Sequence, residues 1–375
     1  METFLNIVAK DIYTKIGNDL SKVAIVFPNK RASLFFNEFL ADQSENPIWS
    51  PAYLSISELF QQLSVLKLAD SVTLVCELYK VFIEETKSSE TLDEFYFWGE
   101  LLISDFDDAD KNMVDTVKLF SNLQELKNIM SGYDYLDKEQ EEAIQAFFQN
   151  FSIERRTQLK EKFISLWDKL GNVYNQFTYS LRTAGIAYEG LLYRDVIQTI
   201  KSESFKYDKY VFVGFNVLNK VESSLFETLQ ADNKAMFYWD FDVYYTQTTG
   251  FKHEAGEFIN RNIQRFQSEL KGQYFDNLRK PKNIKFISSP TENAQARFLP
   301  EWISEVYSNN ERENAVVLCN ETLLLPVLHS IPKHVNNLNV TMGFPLSQTP
   351  VYSFIDALND LQIIGYKHKD RKSTR

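Results

Sequence analysis

Apolar residues at Phe4, Leu5, Val8, Ile12 and Ile16 recur at helical spacing, and Gly17 with Asn18 supplies a stop, so the pattern predicts an opening helix. An apolar, β-branched run comes next at 23–27, bounded by Pro28 and Asn29, after which Leu34, Phe35, Phe36, Phe39 and Leu40 return to helical spacing. The order is strand, polar turn, helix. Residues 51–55 predict another short strand, with Ser55 or Ser57 capping a helix that reaches Leu68.

From 71 to 200 the pattern is helical almost throughout, in segments at 72–85, 92–103, 112–130, 138–149, 152–180 and 188–201. Strand character returns at 210–214 and 235–239 around a helix at 220–231, the βαβ rhythm of a parallel sheet covered by helices. The fold class expected is α/β, with one domain built from 1–70 and 206–283 and interrupted by a helical insertion over 71–205. A second α/β unit is expected over 284–375, with strands at 284–287 and 315–318 and helices at 294–306, 323–330 and 353–361.

Composition narrows the functional classes. A chain of 375 residues exceeds what one hydrophobic core usually serves, and 12 Gly and 10 Pro leave little room for long linkers. The many aromatic residues recur inside helical patterns, as in Phe95, Tyr96, Phe97 and Trp98 or Phe147, Phe148 and Phe151, and read as core. A net charge of −11 argues against a generally basic surface and against strong unaided DNA affinity, while leaving a local groove open. Cys76 and Cys319 lack CxxC spacing, which excludes a cysteine-built zinc or iron–sulfur site; they read as reduced core thiols. No long apolar span or leader-like start occurs, so no membrane association and a cytoplasmic location are expected. The polar run 367–375, directly after apolar 361–364, reads as a chain that stops inside a larger architecture.

Four histidines without an HExxH context and the absence of a GxSxG elbow remove the common hydrolase arrangements. The acidic runs at Asp105, Asp107, Asp108 and Asp110 and at Asp137, Glu139, Glu141 and Glu142 lack EF-hand spacing and read as solvated faces and loops. Asp240 and Asp242, after the strand at 235–239, read as a solvated turn before they read as metal ligands. No metal or other cofactor is expected.

The best local signal is Ala24-Ile25-Val26-Phe27-Pro28-Asn29-Lys30-Arg31-Ala32-Ser33, a strand turning through an Asn and a basic pair into a helix. A loop at the carboxyl edge of a parallel sheet presents backbone amides and a helix N-terminus together, so phosphate contact at Asn29, Lys30 and Arg31 is physically reasonable; a turn with a solvated Lys-Arg pair is the plainer reading. The segment resembles motif Ia of UvrD/RecB-type superfamily 1 helicases, a strand ending in Thr-x-Thr-Asn-x-Ala-Ala that contacts single-stranded DNA. The match covers Phe27, Asn29, Lys30 and Ala32, and Pro28 replaces Thr as in AddB helicase-nuclease subunits.

Further segments keep the same order. Tyr210 to Phe215 resembles the AddB-like Walker B strand, with Val213 where the magnesium-holding acid is expected. Glu292 to Phe298, Ala315 to Asn320 and Gly343 to Pro350 resemble the opening helix, the next strand and the Pro-Leu-x-x-Thr-Pro element of a second RecA-like domain. The whole resembles the N-terminal, helicase-like region of AddB-related PD-(D/E)XK nuclease family proteins. No GxxxxGK[ST] motif and no nuclease motif occur in the sequence, so the resemblance implies a RecA-like scaffold with neither ATPase nor nuclease residues of its own. Its implied partners are single-stranded or forked DNA and an ATP-dependent helicase-nuclease subunit. Two other readings stay open: a protein-interaction module, which needs an exposed apolar patch, and a surviving enzyme, which needs a triphosphate-sized pocket.

Overall fold

The computed structural model describes residues 2–120, 153–201, 205–246, 253–272, 275–307 and 313–364. They fall into two compact units, Met1–Lys280 and Pro281–Arg375.

The first unit begins with α1 (Phe4–Ile16), β1 (Val23–Phe27), α2 (Ala32–Ala41), β2 (Ala52–Ser55), α3 (Ile56–Leu63) and β3 (Lys67–Leu68). It continues with α4 (Ser71–Thr86), α5 (Leu92–Lys111), α6 (Ile153–Ala184), β4 (Ile186–Ala187), α7 (Glu189–Thr199), β5 (Lys209–Val213), α8 (Lys220–Ala231), β6 (Ala235–Tyr238) and α9 (Glu257–Arg265). Four strands form one parallel sheet in the order β2-β1-β5-β6, with Ala24 beside Ala52 and Tyr210, and Tyr210 beside Ala235.

Side chains alternate across the pleat, which divides each strand between two cores. Val23, Ile25, Phe27, Val211, Val213, Met236 and Tyr238 pack with Val8, Ile12, Phe36 and Leu40 of α1 and α2. Ala24, Val26, Tyr210, Phe212 and Phe237 face the opposite way, onto residues of α3, α7 and α8. Burial on both faces explains why these strands appear in sequence as unbroken apolar runs.

Among the described residues, the helices between β3 and β5 share the core of the sheet. Leu78, Phe82, Phe95, Phe177 and Leu191 belong to the same buried cluster as Ala24 and Val26, so the expected insertion thickens one face of the sheet. α3 ends at Leu63, short of the expected Leu68, because Lys67 and Leu68 pair in parallel with Ile186 and Ala187.

Polar contacts lock this layer together and overturn part of the solvated-face reading. α5 runs past the expected end at 103 to Lys111. Asp110 is wholly buried and accepts hydrogen bonds from the Tyr174 and Tyr188 hydroxyls and, at 2.9 Å, from the Arg194 guanidinium. Lys111 pairs with Asp107 at 2.7 Å and Glu189 at 2.6 Å, while Glu189 accepts from Ser57 of α3 and Tyr193, both at 2.8 Å. A carboxylate satisfied in this way can be buried without a large desolvation penalty. Gly190 lets α7 approach α5, since a Cβ there would collide with the Asp107 carbonyl oxygen. The acids Asp137, Glu139, Glu141 and Glu142, the rings Phe147, Phe148 and Phe151, and the expected helix at 138–149 lie outside the described residues.

The second unit contains α10 (Glu292–Val306), α11 (Leu324–Ser330) and α12 (Pro350–Ile364). The strands expected at 284–287 and 315–318 are not formed, and the described residues of this unit include no strand. An extended segment needs a neighbour to satisfy its ladder and cover one face; instead Phe286 and Val317 are 93% and 83% exposed. Cys319 is likewise exposed rather than core, and Cys76 is half-buried.

Candidate functional site

The topology selects one edge of the sheet. From β1 the chain passes through α2 to β2 on one side, and from β5 through α8 to β6 on the other. Right-handed crossovers in opposite directions put α2 and α8 on opposite faces, as their separate cores show. The direction of winding therefore reverses between β1 and β5, and ligands of open α/β sheets bind outside the carboxyl ends of the strands at such a reversal.

On the β1–β2 half, the three residues expected from sequence stand on one loop. The Asn29 side-chain oxygen accepts from the Arg31 amide at 3.2 Å, and the Ser33 hydroxyl donates to the Lys30 carbonyl at 2.6 Å, so Asn29 shapes the turn into α2. The N-terminus of α2 has no side-chain cap and no acid in its first turn. Arg31 has no ion-pair partner among the described residues. Lys30 does: its ammonium lies 2.6 Å from Glu58 Oε1.

Glu58 is the residue that sequence reasoning did not connect to this loop. Its second carboxylate oxygen accepts from the Ser55 amide at 2.9 Å, and the Ser55 hydroxyl accepts from the Glu58 amide, a capping box at the start of α3. The Lys30 ammonium, and next the Ser55 amide, hold the Glu58 carboxyl below its usual range. The Ser-x-x-Glu signal was visible at 55–58, but only the pairing of β1 with β2 brings it beside Lys30.

On the β5–β6 half, β5 ends in Val213, an apolar and fully buried residue, so no acid stands at the end of that strand. Gly214 comes next with φ 74°, a conformation that disfavours any Cβ, and its amide donates to the Tyr238 carbonyl at 3.0 Å. After β6 the Trp239 indole donates to the Phe266 carbonyl at 2.8 Å. Asp242 is not a solvated turn residue. One of its oxygens accepts from the Tyr244 amide at 2.9 Å and the other from the Asn277 and Leu278 amides at 2.6 and 3.1 Å, tying the segment after β6 to the segment around Phe275.

Asp240 is different. It has no hydrogen-bond or ion-pair partner among the described residues, and partial desolvation raises its carboxyl above the usual value although the residue is solvent-exposed. It lines a cavity of about 670 Å³ that also borders Gly214, Asn216 and Asp242. Phe4, Phe215, Phe241, Tyr245 and Phe275 are among its lining residues, with Asn277 and Ile259 beside them. Among the described residues no Lys, Arg or His lines it. Among the described residues no group of three His, Cys, Asp or Glu side chains could hold a metal ion, and no helix is long and apolar enough to cross a membrane.

One carboxyl edge thus presents an exposed basic loop at its β1–β2 half and an aromatic, acidic cavity at its β5–β6 half. No protein-family model matches this chain, and no curated protein matches its sequence.

Proposed function

We propose that the chain is a non-motor, helicase-like scaffold that holds a DNA strand against the loop Asn29-Lys30-Arg31, within a helicase-nuclease whose ATPase resides on a partner subunit. The parallel α/β sheet is compatible with a RecA-like first domain. The observation that carries the reading is the placement of two cations at the carboxyl end of β1, on the uncapped N-terminus of α2, beside the point where the winding reverses. Phosphate oxygens suit that position, because amides and cations converge there. The Lys30–Glu58 pair does not oppose it strongly, since exposed ion pairs contribute about 0–1 kcal/mol and a phosphate can replace the carboxylate. A surviving nucleotide enzyme fits less well, since the cavity at β5 and β6 carries two acids and, among the described residues, no cation for a triphosphate.

The test is single-stranded and forked DNA binding over a series of salt concentrations, with Lys30→Ala/Arg31→Ala beside the wild type. The expected result is affinity that falls with salt and a double variant with both weaker binding and a shallower salt slope, by about 1.4 for two lost contacts to a single strand. Equal affinity and slope in the two proteins would remove the loop from the interface.

A second reading, a partner-docking module, draws on Phe97, Trp98 and Leu101 of α5, which are 71%, 57% and 45% exposed although the sequence pattern placed such rings in the core. The absence of DNA binding at low salt would favour it.

A further inference from the structure

The cavity at the carboxyl ends of β5 and β6 is not used by the DNA-holding reading, and its chemistry is opposite in sign. Its volume of about 670 Å³ lies within the range of about 300–1,000 Å³ that encloses small organic ligands. The wall combines aromatic rings with one carboxylate, Asp240, that the protein leaves unpartnered. The neighbouring Asp242 is already committed to three backbone amides and is not free to take a ligand without loosening the wall.

These features discriminate among ligand classes. An anion meets two acids and, among the described residues, no side-chain cation. A hard metal ion requires several oxygen ligands, commonly six or more, which one free carboxylate does not supply. A neutral apolar molecule would leave the carboxylate desolvated and unpaired, at a cost. An organic cation satisfies both parts of the site, since ammonium groups are attracted to aromatic faces and pair with carboxylates, while an apolar body takes the remaining volume.

We propose that this cavity binds a small organic ammonium ion, with the positive charge on Asp240 and the apolar body against Phe241 and Tyr245. The unpartnered carboxylate is then a binding group held ready in the empty protein, and desolvation of its carboxyl fits that role. Asp242 acts as a positioning residue, fixing the loop after β6 so that Asp240 faces the cavity.

The experiment is a calorimetric and ligand-observed NMR titration of the whole chain near neutral pH, using phenethylammonium, its neutral analogue 2-phenylethanol, and tripolyphosphate. The wild type is expected to prefer phenethylammonium over 2-phenylethanol by about tenfold or more. Asp240→Asn should abolish that preference while leaving 2-phenylethanol unchanged, and Tyr245→Leu should weaken both probes. Circular dichroism and thermal melting establish that each variant is folded, and Asp240→Ser serves as a second test of the carboxylate. The proposal is overturned by equal binding of the charged and neutral probes, by a preference that survives both Asp240 variants, by tripolyphosphate binding instead, or by no phenethylammonium binding at about 10 mM.

Discussion

The two halves of the sheet's carboxyl edge share a backbone plan and differ in the segment that leaves each strand. After β1, a short turn carries Asn29, Lys30 and Arg31 straight into α2, and the nearest acid, Glu58, is answered by a lysine and an amide. After β6, the first four residues carry two acids, of which Asp242 is answered by three amides and Asp240 by nothing among the described residues. Parallel strands alone therefore do not decide whether such an edge takes anions or cations. The side chains just past the strands decide it, together with which of them the fold has already paired.

The largest effect is expected from Asp242→Ala, which leaves the Tyr244, Asn277 and Leu278 amides without their acceptor. Urea unfolding should show a loss of about 2 kcal/mol, and phenethylammonium binding should fall with it. Asp242→Asn, which keeps an acceptor oxygen, should lose less. Unaltered stability in the alanine variant would mean that the β5–β6 half does not depend on this staple and that the contrast with the β1–β2 half is overstated.

A smaller effect sharpens the other half. Glu58→Gln removes the charge facing Lys30 but retains a side chain able to cap α3, so stability should change by less than about 1 kcal/mol. If the basic loop holds DNA, freeing Lys30 should strengthen single-strand binding severalfold and steepen the salt slope by up to about 0.7, measured by the same titration used for the Lys30/Arg31 variant. An unchanged slope would place Lys30 away from the phosphates.

Much of the α/β unit was legible because local pattern and burial agree. The period of α1, the apolar run of β1, the helix at Lys220–Ala231 and the strand at Ala235–Tyr238 each arise from residues a few positions apart. The illegible parts depend on distant partners. β3 has only two residues, and nothing in Lys67-Leu68 announces a strand until Ile186-Ala187 lies beside it. Asp110 reads as one more surface acid in a charged helix, and only Arg194 with Tyr174 and Tyr188 makes its burial tolerable. The runs at 284–287 and 315–318 failed in the opposite way: their composition suits strands, yet the described residues give them no neighbour to pair with. At the site, the basic loop was visible because its residues are contiguous. The aromatic cavity was not, since Phe4, Phe215, Phe241 and Phe275 are dispersed over nearly the whole first unit.

The smallest expected effect is also the one in which the two halves should differ in sign. The Glu58 carboxyl lies below its usual value in the folded protein, so its charged form favours the fold; that contribution is present above the unfolded value of about 4.3 and is lost as pH falls through the folded value. Asp240 lies above its usual value, so its contribution is fully present below the unfolded value of about 3.9 and is lost as pH rises through the folded one. At neutral pH without ligand, Asp240→Asn should therefore melt slightly above the wild type, by on the order of 1–2 °C after allowance for solvent screening at an exposed residue. Glu58→Gln should melt slightly below it. Both differences should shrink in acid, where the wild-type carboxyls become neutral, and thermal melts of the three proteins across the acid range read this directly. Two variants displaced in the same direction at neutral pH would show that the carboxylates meet equivalent environments, whereas opposite displacements would support Asp240 as a group the fold keeps at a cost to its own stability, as binding residues commonly are.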